Sequence, residues 1–315
     1  MSLPTVSIIC PTYNRREFFT QFLKYIRAQT YSARLIQTVV VDDGTDPVSD
    51  LCAGDPQITY VRLEEKSPVG QKRNIGMKAA TGDVIVWCDD DDYIHPKRVA
   101  HAVTRLQGSK KDLAGSTVMY IYFVDTQQVM RVGPYHNRHS TCGVMAFTRK
   151  YLNNHAFDDT APKAEEASFT LKFTEPMVQL DPMQTILCIA HSSNTVDKST
   201  IKDSPVTQFT NLKLKDFVKS AQDRAFYLKL GQQMPVRAPL VKEEKGPTGS
   251  TEPRTDHTRS AEGSDTQPKK ARNPATQVPK NTRQQSVDDD WLVGTSLQQQ
   301  PRRQKKAKRN ANNVN

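Results

Sequence analysis

Four consecutive carboxylates, Asp89, Asp90, Asp91 and Asp92, directly follow the apolar run Val84-Ile85-Val86-Trp87-Cys88. Adjacent Asp side chains repel one another, and the end of a buried strand gives them no structural reason to cluster. A divalent cation removes that repulsion, because Mg2+ and Mn2+ prefer carboxylate oxygens and usually share them with substrate phosphates. A solvated acidic turn is the ordinary alternative, and the buried run before the cluster weighs against it. Other candidates carry weaker signals. Glu165-Glu166 stands in the first turn of an expected helix, where the dipole favours their charged form and where carboxylates with no other role are as common. Lys72, Arg73 and Asn74 fall near the N-terminal turn of another expected helix, a place that attracts anions, although ordinary surface charges fit there too. His191 ends an apolar run, as many polar strand ends do. His136 and His139 lie in a polar loop, where solvated histidines are commoner than ligands.

The elements that must position these groups follow from apolar periodicity. Runs rich in β-branched residues predict strands over 6–10, 37–41, 58–63 and 84–88. Phe18, Phe19, Phe22, Leu23 and Ile26 recur at helical spacing and predict a helix over 16–29, with Asn14 as its cap. Residues 67–80 read as a loop entering a helix. Pro96 opens a further helix on which Val99, Ala102, Val103 and Leu106 share a face. A strand pair over 116–124 and 129–132, a short strand over 143–147, a helix over 164–173, a strand over 184–190 and one amphipathic helix over 209–230 complete the pattern. Strand, helix, strand predicts a βαβ opening and an α/β fold with a mainly parallel sheet. Open sheets of this kind bind ligands at the carboxyl ends of their strands, which is where the four Asp lie.

A chain of 315 residues has room for one large domain or two of ordinary size. Its net charge of +10 is unevenly spread: residues 236–315 hold 16 Lys and Arg against 9 Asp and Glu, and the rest hold 28 against 25. A basic nucleic-acid-binding core is thereby excluded, and any such attraction belongs to the tail. After Gln233 apolar residues become rare and Pro, Gly, Ser, Thr, Gln and Lys dominate. Such a segment cannot bury enough apolar area to offset ordering its backbone, so disorder is expected. Within it, Asp288-Asp289-Asp290-Trp291-Leu292-Val293 has the look of a docking peptide, and the Arg302 to Arg309 cluster reads as a nuclear-targeting, nucleic-acid or anionic-membrane patch. The five cysteines, Cys10, Cys52, Cys88, Cys142 and Cys188, are odd in number and form no C-x-x-C, which predicts reduced thiols and no zinc site. No segment has the length and apolarity of a membrane span, and the N-terminus has no basic region before its apolar run. A soluble, cytoplasmic chain is expected, with nuclear localisation through the tail as the alternative.

These features together resemble the family 2 glycosyltransferases, which have the GT-A fold. The resemblance covers residues 6–197. It rests on S-I-I-C-P-T-Y-N-R at the first strand, V-V-V-D-D-G-T at the second, R-N-I-G-M-K-A-A-T-G-D, and then Asp89-Asp90-Asp91-Asp92 as the D-x-D-D pattern. Each piece is weak alone, and their order and spacing make the match specific. The resemblance implies a Rossmann-like α/β/α domain with a mixed, mainly parallel sheet; with the composition break after Gln233, that domain is expected over 1–233 and a disordered basic low-complexity tail over 234–315. It implies nucleotide-sugar contacts from Pro11, Thr12, Tyr13, Asp42, Asp43, Arg73, Asn74, Asp89 and Asp90. Asp91, supported by Asp92 and completed by His191, would hold the cation, Mn2+ or Mg2+. Gly143 would be the small residue of the acceptor-side loop. Glu165 and Glu166 match the acidic pair that supplies the base, with Glu166 in the closing position where the family most often has Asp.

The reading that follows is a metal-dependent, inverting transfer of a sugar from a nucleotide diphosphate sugar, with a UDP-hexose as the expected donor, to a hydroxyl on a glycan, protein or lipid. Two rivals come from other classes. One is a GT-A domain without turnover that serves as a binding scaffold. The other places function in the basic tail, with an anionic or nucleic-acid partner for the Arg302 to Arg309 cluster.

Overall fold

In the computed structural model, which describes residues 2–161 and 164–232, a buried strand β1 (Val6–Thr12) leads into helix α1 (Arg16–Arg27) and strand β2 (Ile36–Asp42). All seven residues of β1 are buried, as expected of a central strand covered on both faces. Phe18, Phe19, Phe22, Leu23 and Ile26 put the apolar face of α1 on the sheet, so the periodicity in the sequence is realised. Asn14 is not the cap of this helix. Arg15 holds that position, and Asn14 adopts a φ of 51°, from which its amide bonds Thr45 and Asp46.

A short helix α2 (Ser49–Cys52) precedes strand β3 (Ile58–Arg62). Helix α3 (Val69–Ala79) then returns the chain to strand β4 (Val84–Trp87). Gly76 lets α3 lie close against β1, since a Cβ there would come 2.4 Å from the Ile9 side chain. The β1 register places Val6 opposite both Ile36 and Val84. Thr12, Asp42 and the residues after Trp87 consequently emerge on one edge of the sheet. Next come β5 (Tyr93–Ile94), α4 (Arg98–Gln107), β6 (Leu113–Gly115), β7 (Met119–Phe123), β8 (Gln128–Val132) and β9 (Ala146–Thr148). The described chain finishes with α5 (Glu166–Phe169), β10 (Met177–Gln179), β11 (Ile186–Ala190), β12 (Thr207–Phe209), α6 (Leu214–Phe217) and α7 (Ala221–Gln232).

The strands form two sheets. The larger has the order β10-β6-β9-β4-β1-β2-β3 and the smaller β12-β8-β7-β11-β5. In the larger sheet β9 runs antiparallel to β4 and β6 and the other pairs are parallel. This is the mixed, mainly parallel α/β architecture that the sequence predicts. The four Asp form the link between the sheets, because β4 belongs to one and β5 pairs with β11 in the other.

Arg98 of α4 is fully buried without a carboxylate. Its Nη2 donates to the carbonyls of Val144 at 2.7 Å, Met145 at 2.9 Å and Trp87 at 3.4 Å. The guanidinium thus ties the end of β4 to the segment before β9.

Several expected elements differ. The helix expected over 209–230 is a strand and two helices, with Ser220 Oγ accepting from the Asp223 N–H at the start of α7. The helix expected over 164–173 is the single turn α5, followed by Leu171, Lys172 and Phe173 at φ of 48°, 57° and 58°. Left-handed backbone costs a residue with a Cβ about 1–2 kcal/mol, so this turn is held by its surroundings, Thr170 Oγ1 accepting from the Phe173 N–H among them. His139 is buried, stacked between Tyr135 and Phe173, while His136 is exposed. The five cysteines are free and buried. No helix among the described residues is long and apolar enough to cross a membrane. The expected domain boundary at 233, the docking peptide and the Arg302 to Arg309 cluster lie outside the described residues.

Candidate active site

The carboxylates at the end of β4 each have a different environment. Asp90 accepts from Thr12 Oγ1 at 2.6 Å and from Arg15 Nη1 at 3.0 Å. Burial, opposed by Arg15, pushes its carboxyl up to about 6. Asp91 Oδ2 collects three donors or ligating atoms: Arg15 Nη1 at 2.9 Å, Asn194 Nδ2 at 3.1 Å and His191 Nε2 at 3.2 Å. Burial works to raise its carboxyl, but Arg15 and the bond to His191 outweigh it and hold Asp91 well below the usual carboxylate range. Asp92 accepts from the Ile189 backbone N–H of β11 at 2.9 Å. Burial, reinforced by the charge of Asp91, raises Asp92 to about 8. Asp89 is the most open of the four, with Oδ1 accepting from Arg73 Nη2 at 3.2 Å.

His191 reaches Asp91 because β11 lies beside β5, and its ring stacks on Phe18 of α1 at 4.4 Å. The Ser193 N–H donates to His191 Nδ1 at 3.2 Å, so the imidazole proton sits on Nε2 and points to Asp91. A divalent ion is a chemical fit here. Adjacent donors of an octahedral ion bound at about 2.1 Å are about 3.0 Å apart, close to the 3.2 Å between Asp91 Oδ2 and His191 Nε2. Those two residues would hold the ion; Asp92, expected to support them, has Oδ1 on the Ile189 N–H.

On the nucleotide side the expected residues divide. Thr12 and Arg73 reach the acidic cluster. Pro11 is buried in β1 opposite Val41. Tyr13 is half-buried under Lys66, whose Nζ lies 4.5 Å from the ring centre. Asp42 is buried, with its carboxylate accepting from the N–H groups of Gly44 and Val48 and from the Tyr60 hydroxyl. Asp43 is ion-paired with Lys72 at 2.7 Å and accepts from the Ser67 N–H. Asn74 faces the 157–159 loop, donating to the Phe157 carbonyl and to Asp159 and accepting from the Phe157 N–H.

A second cluster lies beside β9. Arg73 Nε donates to Glu165 Oε1 at 2.7 Å, and its guanidinium lies 5.0 Å from the Trp87 ring centre. Glu166 Oε1 accepts from the Cys142 N–H at 3.0 Å. Gly143, the next residue, packs on the acidic cluster, since a Cβ there would come 2.9 Å from Asp89 Oδ2. Arg73 and Gly143 thus bring the glutamate pair and the Asp run together through Asp89. Burial, and then the charge of Glu165, push the Glu166 carboxyl up to about 7. The helix-start effect expected from the sequence does not prevail, because α5 has only four residues and a macrodipole needs a longer run of aligned peptides.

Three of these residues were not singled out by sequence reasoning. Arg15 closes the S-I-I-C-P-T-Y-N-R stretch, and its position after a strand and before a helix was the available signal. Asn194 stands three residues after His191, and nothing local marks it. Cys142 takes part through its backbone, which no side-chain pattern reveals. A cleft of about 350 Å³ borders Arg15, Phe18, His191 and Ser193 on the α1 side of the cluster.

Residues 7–161 match the family described as Glycosyl transferase family 2. Glycosyltransferase AglE of Haloferax volcanii is 29% identical over 126 residues, 38% of this chain and 41% of AglE. The uncharacterized glycosyltransferase YwdF of Bacillus subtilis is 34% identical over 96 residues, 30% of this chain and 35% of YwdF. The chain therefore spans less than half the length of these relatives. Among solved structures, a mannosyltransferase PcManGT from Pyrobaculum calidifontis, in complex with GDP-Man and Mn2+, superposes with a TM-score of 0.50 at 18% identity over 62% of this chain and 59% of that one. That likeness establishes the GT-A fold.

Proposed function

Residues 7–161 belong to glycosyl transferase family 2, and on that premise we propose that the chain moves a sugar from a nucleotide diphosphate sugar to an acceptor hydroxyl with inversion, assisted by a divalent cation. A UDP-hexose is the donor to try first. The observation that carries the reading is the pairing of Asp91 and His191 at 3.2 Å, with Glu166 held on Cys142 one residue from a glycine that packs on Asp89. PcManGT, which holds GDP-Man and Mn2+, supports the same ligand classes here.

In this reading Asp91 and His191 hold the cation, which when bound stabilises the negative charge developing on the leaving diphosphate. Arg73 orients Asp89 toward the donor. Thr12 fixes Asp90. Glu166 removes the acceptor proton as the hydroxyl oxygen attacks the anomeric carbon from the face opposite the leaving group, so no covalent enzyme intermediate forms. A carboxyl raised to about 7 is well matched to that task, since a base works best with a pKa near the operating pH. Glu165, paired with Arg73, positions the guanidinium and does not act as base. Asp42 and Asp43 act from behind the nucleotide pocket by fixing the loop after β2.

The test is a panel of nucleotide sugars with Mn2+ or Mg2+ and a set of hydroxyl acceptors, scored for nucleoside diphosphate release. Release that requires both acceptor and cation is expected. Cation-dependent nucleotide binding with no release in any combination would favour the scaffold rival.

A further inference from the structure

We propose that Arg15 is the built-in counter-cation of the Asp90–Asp91 pair, and that a divalent ion binds this cluster by displacing it. The inference rests on the reading that Asp91 holds the ion. One guanidinium makes every contact needed. Its Nη1 lies 3.0 Å from Asp90 Oδ1 and 2.9 Å from Asp91 Oδ2, and its Nη2 donates to the Ser193 carbonyl at 2.7 Å. Without a cation of some kind, four adjacent carboxylates at the end of a buried strand would repel one another; Arg15 supplies the one in contact with Asp90 and Asp91, beside Arg73 on Asp89 and the half-buried Lys198.

The contact to Ser193 adds a second function. Residues 191–194 form a tight turn: the His191 N–H donates to Asn194 Oδ1, the Asn194 N–H to the His191 carbonyl, and the Ser193 N–H to His191 Nδ1. This turn keeps the imidazole proton on Nε2, where it donates to Asp91. An ion on Asp91 needs His191 Nε2 as a bare lone pair, so the proton must move to Nδ1 and the Ser193 N–H must lose its acceptor. The turn that Arg15 grips is therefore the turn that must rearrange when the ion arrives. Arg15 has room to withdraw, because the same side chain lines the 350 Å³ cleft beside α1. The protein accordingly holds two exclusive states, one with the guanidinium on Asp91 and one with the ion.

Linkage fixes the sign. Removing a group that stabilises only the ion-free state lowers the stability of that state and tightens ion binding. The experiment uses the full chain stripped with EDTA, with Mn2+ as the probe, comparing wild type, Arg15→Met and Arg15→Lys. Melting is followed with and without Mn2+, and Mn2+ affinity is measured by calorimetry. Arg15→Met should melt roughly 5–10 °C below wild type without the ion and within about 2 °C of it at saturating Mn2+, and should bind Mn2+ about tenfold more tightly or better. Arg15→Lys, which keeps the charge but cannot bridge two carboxylates, should fall between the two. Equal Mn2+ affinity in wild type and Arg15→Met, or a melting deficit that Mn2+ does not relieve, would overturn the displacement while leaving the cation site standing. Absence of Mn2+ binding in both, with wild type folded, would overturn the inference and the cation reading together.

Discussion

Two pairs of adjacent carboxylates, Asp91–Asp92 and Glu165–Glu166, solve the same problem on different scaffolds. In each pair the two members meet different partners. At the strand end, Asp92 is tied to the Ile189 backbone of the neighbouring sheet, while Asp91 meets the charge of Arg15 and the side chains of His191 and Asn194. At the helix start, Glu165 is locked in an ion pair with Arg73, while Glu166 rests on one backbone N–H. The electrostatics diverge accordingly. Asp91, beside the Arg15 guanidinium and two neutral donors, is kept ionised. Glu166, buried beside another carboxylate, is pushed up to about 7. The first suits a permanent ligand and the second a group that must take up a proton. Adjacent identical residues are thus differentiated by what their neighbours supply.

Five measurements test the contrast between the two pairs. The largest effect is expected from Asp91→Asn, which keeps the side-chain volume and removes the charge. Loss of the cation's contribution of several kcal/mol should lower transfer about 10³-fold or more and weaken nucleotide binding, with the fold retained by circular dichroism. Activity near wild type would show that Asp91 is not the ligand. Glu166→Gln comes next, with transfer falling about 10²–10⁴-fold and donor affinity by calorimetry nearly unchanged.

The pH dependence of wild type belongs with that variant. Glu166 is raised to about 7, so below pH 7 it is protonated and unable to accept a proton. The rate should therefore fall about tenfold per pH unit below about 7 and level off above it. A profile flat from pH 5 to pH 8, an interval spanning about 7 on either side, would remove Glu166 from the base role. Glu165→Gln should be milder in activity, by about tenfold, but should cost thermal stability, because Arg73 is left buried with Asp89 as its remaining ionic partner. If this variant is the inactive one and Glu166→Gln is not, the two roles are exchanged. Asp92→Asn should have the smallest effect, under about threefold, because the amide oxygen can still accept from Ile189. A loss as large as that of Asp91→Asn would place Asp92 on the ion as well.

The parts of this arrangement that lie on long buried strands were legible in the sequence. Val84 to Trp87 followed by Asp marks both a strand and the end at which it delivers its carboxylates, because apolar continuity and a change to charge are local signals. The α1 face was legible for the same reason. What escaped depends on partners distant in the chain. The smaller sheet is assembled from short strands whose pairing, such as Ile186 with Ile94, no local pattern announces. The helix expected over 209–230 is interrupted because Val218 takes extended backbone between α6 and α7. At the site, Asp42 and Asn74 carry polar side chains suited to nucleotide contact, yet their hydrogen bonds are taken by Tyr60 and by the 157–159 loop. Residue type cannot tell a ligand from a brace, because both need the same atoms.

Arg98 has a consequence for the order in which this molecule is assembled and dismantled. Its three acceptors come from residues 87, 144 and 145, so they converge only after β9 has joined β4 across a long stretch of chain. Interactions that form after the rate-limiting step leave the folding rate almost unchanged and slow the reverse reaction. Arg98→Met is therefore expected to speed unfolding and leave the folding rate almost unchanged, and an equal loss in the folding rate by stopped-flow would show that these bonds form before the barrier.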